Sequence, residues 1–310
     1  MRVVVTGGAG FIGSHLVDAL LDRGAEVAVA DHLHRSPRPW VADALQRGMQ
    51  LHAVDVRDLG ALRRAFTAAR PEVVMHLAAQ VDVRRSILDP ALDAQVNVAG
   101  TVSVLEAARE AGARRVLLAS TAAVYGNPKA IPTPETAAIA PLSPYGTSKA
   151  AAEWYFGQYQ RLHGISTLAL RMANVYGPRQ DPHGEAGVIS IFCGVSAEGG
   201  RATVFGSGRQ TRDYLYIDDV VAAWLAAADS EVTGALNVST GAETSLLDVV
   251  DALDMRYDLA PGRPGEIERS CLDPSAAAGL LDWAALVPLS EGLRRTLGSP
   301  SRPATSPRVR

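Results

Sequence analysis

Arg2-Val3-Val4-Val5-Thr6-Gly7-Gly8-Ala9-Gly10-Phe11-Ile12-Gly13 decides the fold. Arg2 to Thr6 is a short valine-rich run and reads as a buried strand. Gly7, Gly10 and Gly13 follow at three-residue spacing, and a helical pattern runs from Ser14 to Arg23 until Gly24 ends it. A tight turn from strand to helix lets a backbone come close to a pyrophosphate, whose charge the helix N-terminus attracts. Glycines in this pattern are a weak signal alone. Between a strand and a helix they are in the context that gives them meaning.

Working outward, Glu26 to Ala30 reads as a second strand ending in Asp31. An acid there lies close to the expected spacing of about 20 residues past the glycines. It accepts a hydrogen bond from a ribose 2′-hydroxyl and repels a 2′-phosphate, so NAD is expected rather than NADP. His32, His34 and Arg35 follow and would soften that preference; the blander reading makes the histidines ordinary loop residues. Leu51 to Val56 reads as a third strand carrying Asp55, where an adenine would lie. Glu72 to Leu77 reads as a fourth, running into the small residues Ala78 and Ala79, which leave room for a cofactor. Arg114 to Ser120 reads as a fifth, running into Thr121-Ala122-Ala123-Val124-Tyr125-Gly126. Strands alternating with helices argue for a parallel α/β sheet, doubly wound.

Ser143-Pro144-Tyr145-Gly146-Thr147-Ser148-Lys149 carries the chemistry. If it opens a helix, Tyr145 and Lys149 share a face with Cβ atoms about 5–6 Å apart. A tyrosine of ordinary pKa, about 10, is almost wholly protonated at neutral pH, and a nearby ammonium stabilises its phenolate. Tyr-x-x-x-Lys is common by chance, and only the rest of the chain gives it weight.

The 310 residues are 47% hydrophobic and 20% charged, an ordinary globular composition. A net charge of -3 gives no reason to expect nucleic acid or an anionic membrane as partner. Cys193 and Cys271 form no metal or redox spacing, and the acids and histidine of Asp181 to Glu185 fit no common metal site. Val3 to Val5 is too short for a signal peptide or a span, so a cytoplasmic enzyme is expected.

Seven motifs in order, TGGAGFIGSHL, HLAAQVDVRRS, NVAGT, STAAVYG, SPYGTSK, NVYGPRQ and QTRDYLYIDD, cover about residues 1–297. The chain resembles the extended short-chain dehydrogenases/reductases, specifically the NAD-dependent sugar-nucleotide epimerase/dehydratase family. The resemblance implies that Tyr145 is the acid/base, that Lys149 lowers its pKa and holds the nicotinamide ribose, and that Thr121 hydrogen-bonds the sugar 4-hydroxyl. It implies that Gly7, Gly10, Phe11, Ile12, Gly13 and Asp31 hold NAD, that Asp55 and Val56 flank the adenine, that Leu77, Ala78 and Ala79 border the cofactor, and that Asn97 supports it. It further implies that Asn174 contacts the substrate phosphates, Phe205 lies near the uracil, Arg212 and Arg263 bind phosphate, Glu266 binds ribose, and Ser270 leaves room at sugar C2 for N-acetyl groups. Met172 departs from the family's usual aromatic residue near the reacting sugar.

The family's dehydratases place acids after the threonine, where this chain has Ala122 and Ala123, which exchange no protons. The implied reaction is therefore 4-epimerisation of a UDP-hexose through a transient 4-keto sugar. The alternatives are a 4,6-dehydratase, a UDP-glucuronate-processing enzyme, or, in another class, a non-catalytic NAD-binding sensor. Arg179 keeps an acidic sugar open, and Asp181 argues against one. Residues 1–173, with 213–240 returning, are expected to form the NAD-binding Rossmann domain, and 174–212 with 241–297 a smaller nucleotide-sugar lobe. Residues 298–310 are expected to be a disordered tail. A homodimer is implied, built on helices at about 90–112 and 146–163.

Overall fold

The structure is a computed structural model and describes residues 1–33, 39–182, 187–262 and 267–298. The expected tail therefore lies, but for Gly298, outside the described residues. Six strands come first: β1 (Arg2–Thr6), β2 (Glu26–Asp31), β3 (Gln50–Ala53), β4 (Val73–His76), β5 (Arg115–Thr121) and β6 (Ser166–Met172). Shorter strands follow, β7 (Asn174–Tyr176), β8 (Ala202–Phe205), β9 (Thr211–Arg212) and β10 (Tyr214–Tyr216), and then β11 (Gly234–Val238). The main sheet has seven strands in the order β11-β6-β5-β4-β1-β2-β3, every pair parallel. The chain starts at β1, steps outward to β3, then returns past β1 to β4. Successive crossovers leave β1 and β4 in opposite directions, which opens a crevice beyond their C-terminal ends.

The valine run of β1 is explained by burial on both faces. Val3 and Val5 face a core that includes Leu16, Leu20 and Trp224, while Val4 faces another that includes Leu62, Phe66 and Phe156. A strand covered on two sides reads as continuous hydrophobicity, not as alternation. The covering helices are α1 (Phe11–Asp22), α2 (Pro39–Gln46), α3 (Leu59–Ala69), α4 (Val83–Leu88), α5 (Pro90–Ala94), α6 (Gly100–Glu110), α7 (Pro144–His163), α8 (Val188–Ala197) and α9 (Ile217–Asp229).

Two local expectations need correcting. The third strand stops at Ala53, because Asp55 turns the chain: its carboxylate takes the Arg57 backbone N–H at 2.9 Å and its carbonyl the Asp58 N–H. The stretch from 90 to 112 is not one regular helix. Between α5 and α6 the backbone widens into a π turn over Gln95–Ala99, centred on Asn97.

The segments after β6 build small sheets. β7 pairs with β10; β8 pairs with β13 (Tyr257–Ala260); β9 pairs with β12 (Thr244–Ser245) and β14 (Arg269–Ser270). Among the described residues no helix is long and apolar enough to cross a membrane.

Candidate active site

The crevice is a cleft of about 630 Å³ at the C-terminal ends of the main-sheet strands. Gly7, Gly10, Phe11, Ile12 and Gly13 form one wall, and Asp31, Asp55 and Val56 one end. Leu77, Ala78 and Ala79 line its middle, and Thr121, Tyr145 and Lys149 its other end.

The three glycines do different jobs. Gly7 has φ +71, and a Cβ there would stand 2.7 Å from the Ala78 backbone nitrogen. A Cβ on Gly13 would stand 2.3 Å from the Gly7 carbonyl oxygen. These two let the turn close on itself and on the chain leaving β4. Gly10 precedes the first residue of α1, and a Cβ there would meet only the Gly7 oxygen, at 3.1 Å. The absence of a side chain at Gly10 therefore leaves open space at the helix N-terminus, as a bound pyrophosphate requires. At the end of β2, Asp31 accepts the Ala9 N–H at 3.1 Å and the Leu33 N–H at 2.9 Å, which fixes its carboxylate at the cleft edge. Asp55 is held below the usual carboxylate range by its hydrogen bonds to Arg57. His34 and Arg35 lie outside the described residues. This turn, this open helix end and this acid fit a dinucleotide such as NAD.

At the other end, α7 begins with Ser143 as its cap, accepting the Gly146 N–H at 3.1 Å. Pro144 occupies a first-turn position, where its missing N–H costs nothing. The helix starts against the segment after β5, because Gly146 has no Cβ: one there would lie 2.6 Å from the Ala123 carbonyl oxygen. This close approach brings Tyr145 and Lys149 to the same cleft as Thr121. Ser86 of α4 donates a hydrogen bond to Val83 and accepts the Tyr145 N–H at 3.2 Å, steadying the first turn. Lys149 is 3% exposed. Burial lowers its pKa to about 8, while the charges of Asp93 and Glu153 pull it upward.

Asn97 lies beneath the cleft, outside its lining. The π turn aims its side chain at the loop leaving β4: Oδ1 accepts the Gln80 N–H at 2.8 Å, and Nδ2 donates to Gln80 O, Asp93 Oδ1 and Ser148 Oγ. A hydrogen-bond chain crosses the sheet beside it. The Ala78 N–H donates to Thr6 Oγ1, which donates to His76 Nδ1; His76 Nε2 then donates to Thr101 Oγ1, and Thr101 to the Asn97 carbonyl. Thr101 spends its proton on the Asn97 carbonyl, so Nε2 carries the ring proton, and in the neutral ring that burial favours Nδ1 accepts from Thr6. Burial, with Lys149 adding to it, lowers the His76 pKa to about 3.

Of the described residues expected on the substrate side, Thr121 and Tyr145 line this cleft and Asn174, Phe205, Arg212 and Ser270 do not. Asn174 is exposed on β7. Phe205 ends β8, its carbonyl accepting from Gln210. Arg212 and Ser270 are aligned partners on β9 and β14. Arg263 and Glu266 lie outside the described residues. Arg179 is not among the residues lining this cleft: it reaches Asp18 of α1 at 2.7 Å and covers the Trp40 ring. It joins α1 to the loop after β7, with its Nη1 buried and without a hydrogen-bond partner, while Gln180 and Asp181 line the cleft. Sequence reasoning gave no role to Gln80, Val81, Arg85, Leu92 and Val96, which also line it. Gln80, Val81 and Arg85 belong to the motif HLAAQVDVRRS, residues 76–86, which carried the signal for them, whereas Leu92 and Val96 lie outside every motif.

The sequence signature of the NAD dependent epimerase/dehydratase family matches residues 3–239. The chain belongs to that family. It is 42% identical over 309 residues to a UDP-glucose 4-epimerase of Mycolicibacterium smegmatis, covering 96% of this chain and 97% of that one. The UDP-glucose 4-epimerase of Thermotoga maritima, solved with UDP-glucose, superposes with a TM-score of 0.91 at 40% identity, covering 96% and 97% of the two chains. That of Thermus thermophilus, solved with NAD, gives 0.88 at 42% identity, with 96% and 98% covered. NAD dependence follows from membership, in agreement with the fit of the cleft.

Proposed function

We propose that this enzyme interconverts UDP-hexoses at C4, UDP-glucose with UDP-galactose first among them. The observation that carries this reading is the meeting of Thr121, Tyr145 and Lys149 at one end of a dinucleotide-shaped cleft, with only Ala122 and Ala123 next to Thr121. The full-length likeness to UDP-glucose 4-epimerases supports it.

When bound, NAD accepts and returns a hydride. Tyr145 Oη, as phenolate, takes the proton of the 4-hydroxyl while the hydride leaves C4. The Lys149 ammonium favours that phenolate. Thr121 Oγ1 accepts the Ala123 N–H at 3.2 Å, which leaves its own proton to donate to the sugar oxygen. The 4-keto sugar then turns over and is reduced on its opposite face, with Tyr145 returning the proton. No acid beside Thr121 serves the C5 and C6 proton transfers of a dehydratase.

In the same reading residues 1–173 and 213–240 hold NAD, while 174–212 and 241–297 hold the nucleotide sugar, with Arg212 on phosphate. Ser270, aligned with Arg212, leaves room for N-acetylhexosamines. The working unit is a cytoplasmic homodimer joined through α7 and its neighbours, whose exposed Trp154, Leu162, Ile87 and Leu88 support it; a monomeric mass by sedimentation would remove that part.

Proton NMR of UDP-glucose and UDP-N-acetylglucosamine, each incubated with purified protein, tests the proposal. Galacto-configured products are expected. A 4-keto-6-deoxy product, or no turnover of either sugar, would overturn it.

A further inference from the structure

Behind Thr121 lies a group of buried polar side chains that the proposed chemistry does not use. Glu153 is one turn beyond Lys149 on α7. Its carboxylate pairs with Arg171 of β6 at 2.6 Å, and both side chains are 8% exposed. Glu153 Oε1 also accepts from Ser120 Oγ, on the residue before Thr121, and from Arg171 Nε at 3.0 Å. Arg171 Nη1 donates to Tyr125 Oη at 2.8 Å, and Tyr125 Oη donates to Asn237 Oδ1 of β11 at 2.8 Å. Asn237 in turn donates to the carbonyls of Thr133 and Asp273. Both carboxylate oxygens and all three guanidinium nitrogens are engaged.

Three members adjoin the cleft, and one of them, Ser120, lines it. Ser120 precedes Thr121, Arg171 precedes Met172, and Glu153 follows Lys149 by four residues. Thr121 and Met172 are themselves aligned partners on β5 and β6. The helix that carries Tyr145 and Lys149 is thus tied to the strand end that carries Thr121 by a fork of fixed geometry. Packing alone would not need it, since well-packed apolar residues of similar volume hold elements together at least as well as a buried ion pair does. What a forked guanidinium on a carboxylate adds is a defined distance and direction.

We infer that the Glu153–Arg171 pair, acting through Ser120, positions the active centre: it sets the separation between Tyr145 with Lys149 on α7 and Thr121 on β5. The inference rests on the proposed role of these three residues. The pair does not touch substrate or cofactor and is a positioning element. It has an electrostatic side as well. Lys149 is faced by Asp93 from α5, Glu153 from its own helix and His76 from β4, which is neutral. Removing the Glu153 charge leaves Asp93 alone to favour the ammonium, so Lys149 should lose its proton at lower pH.

The test uses the purified full-length protein with its bound NAD and three variants. Ser120→Ala keeps the ion pair and cuts its link to β5. Glu153→Gln removes the charge. Glu153→Gln with Arg171→Met removes the pair without stranding a buried charge. The expected result is a fall in kcat of about tenfold for Ser120→Ala and about 100-fold for Glu153→Gln, with KM within threefold and NAD retained. The alkaline limb of the Glu153→Gln rate profile should move to lower pH. The double variant should recover Tm without recovering kcat. The inference is overturned if Ser120→Ala and Glu153→Gln keep kcat within threefold of the parent, or if the double variant recovers activity together with Tm. Should the parent turn over no UDP-hexose, the functional reading fails, and crystal structures decide this one separately. A Tyr145–Thr121 separation unchanged in Glu153→Gln would sink it; a widened one would sustain it.

Discussion

The cofactor cleft and the small C-terminal sheets are built in opposite ways. The cleft is made where consecutive elements of one parallel sheet turn, and each turn contributes through a few neighbouring residues: Gly7 to Gly13 after β1, Asp31 at the end of β2, Ala78 after β4, Thr121 at the end of β5. The small sheets are made from strands of two to four residues that find partners far along the chain. β9 at Thr211–Arg212 is paired by β12 at Thr244–Ser245 and by β14 at Arg269–Ser270. In the first region backbone geometry makes the site, and spacing in the sequence reports it. In the second, side chains are placed by long-range pairing that no local pattern announces.

The comparison is sharpened first by Tyr145→Phe. Loss of the phenolic oxygen should cut kcat about 1000-fold while KM and NAD content hold. Retained turnover would move the chemistry out of this cleft. Next comes Gly7→Ala. The positive φ and the 2.7 Å approach to Ala78 leave no room for a methyl group. Strain alone costs about 1–3 kcal/mol, so Tm should fall by several degrees and NAD content with it. An unchanged Tm would show that the turn is not the rigid feature described.

A third effect is one of pH. The Lys149 pKa is lowered to about 8, so its ammonium is present below that pH and is lost as the pH rises through it. If the ammonium serves Tyr145, kcat/KM should decline above about pH 8. Stability should move the other way. An unfolded chain keeps this lysine protonated up to about 10.4, so its burial weighs against the fold below pH 8 and eases as the pH rises from there. Melting curves of the parent and Lys149→Met across pH 7–10 separate the two trends.

The smallest effects belong to the second region. Arg212→Lys should raise KM for a UDP-hexose about tenfold with Tm unchanged, since a lysine lacks the fork. Ser270→Tyr should reduce N-acetylhexosamine turnover relative to plain hexose by a similar factor. Should either variant lower Tm as much as Gly7→Ala, the contrast between the regions would break.

Strand and helix periodicity, the glycine spacing, the acid at the end of β2 and the Tyr-x-x-x-Lys pair were all legible, because each depends on contacts within one βα unit or one helical face. They sufficed for a doubly wound sheet and for NAD, while Gln80, Val81, Arg85, Leu92 and Val96 of the cleft went without a role. The tertiary structure alone decided that Gly146 lets α7 touch Ala123, that a π turn points Asn97 at the loop after β4, that His76 stays neutral, and that Arg179 is taken by Asp18. It alone joined Ser120, Glu153 and Arg171. Each of these joins residues from separate strands and helices. Their distances are set by how the sheet stacks its helices, a property of the packed whole that spacing along the chain does not carry.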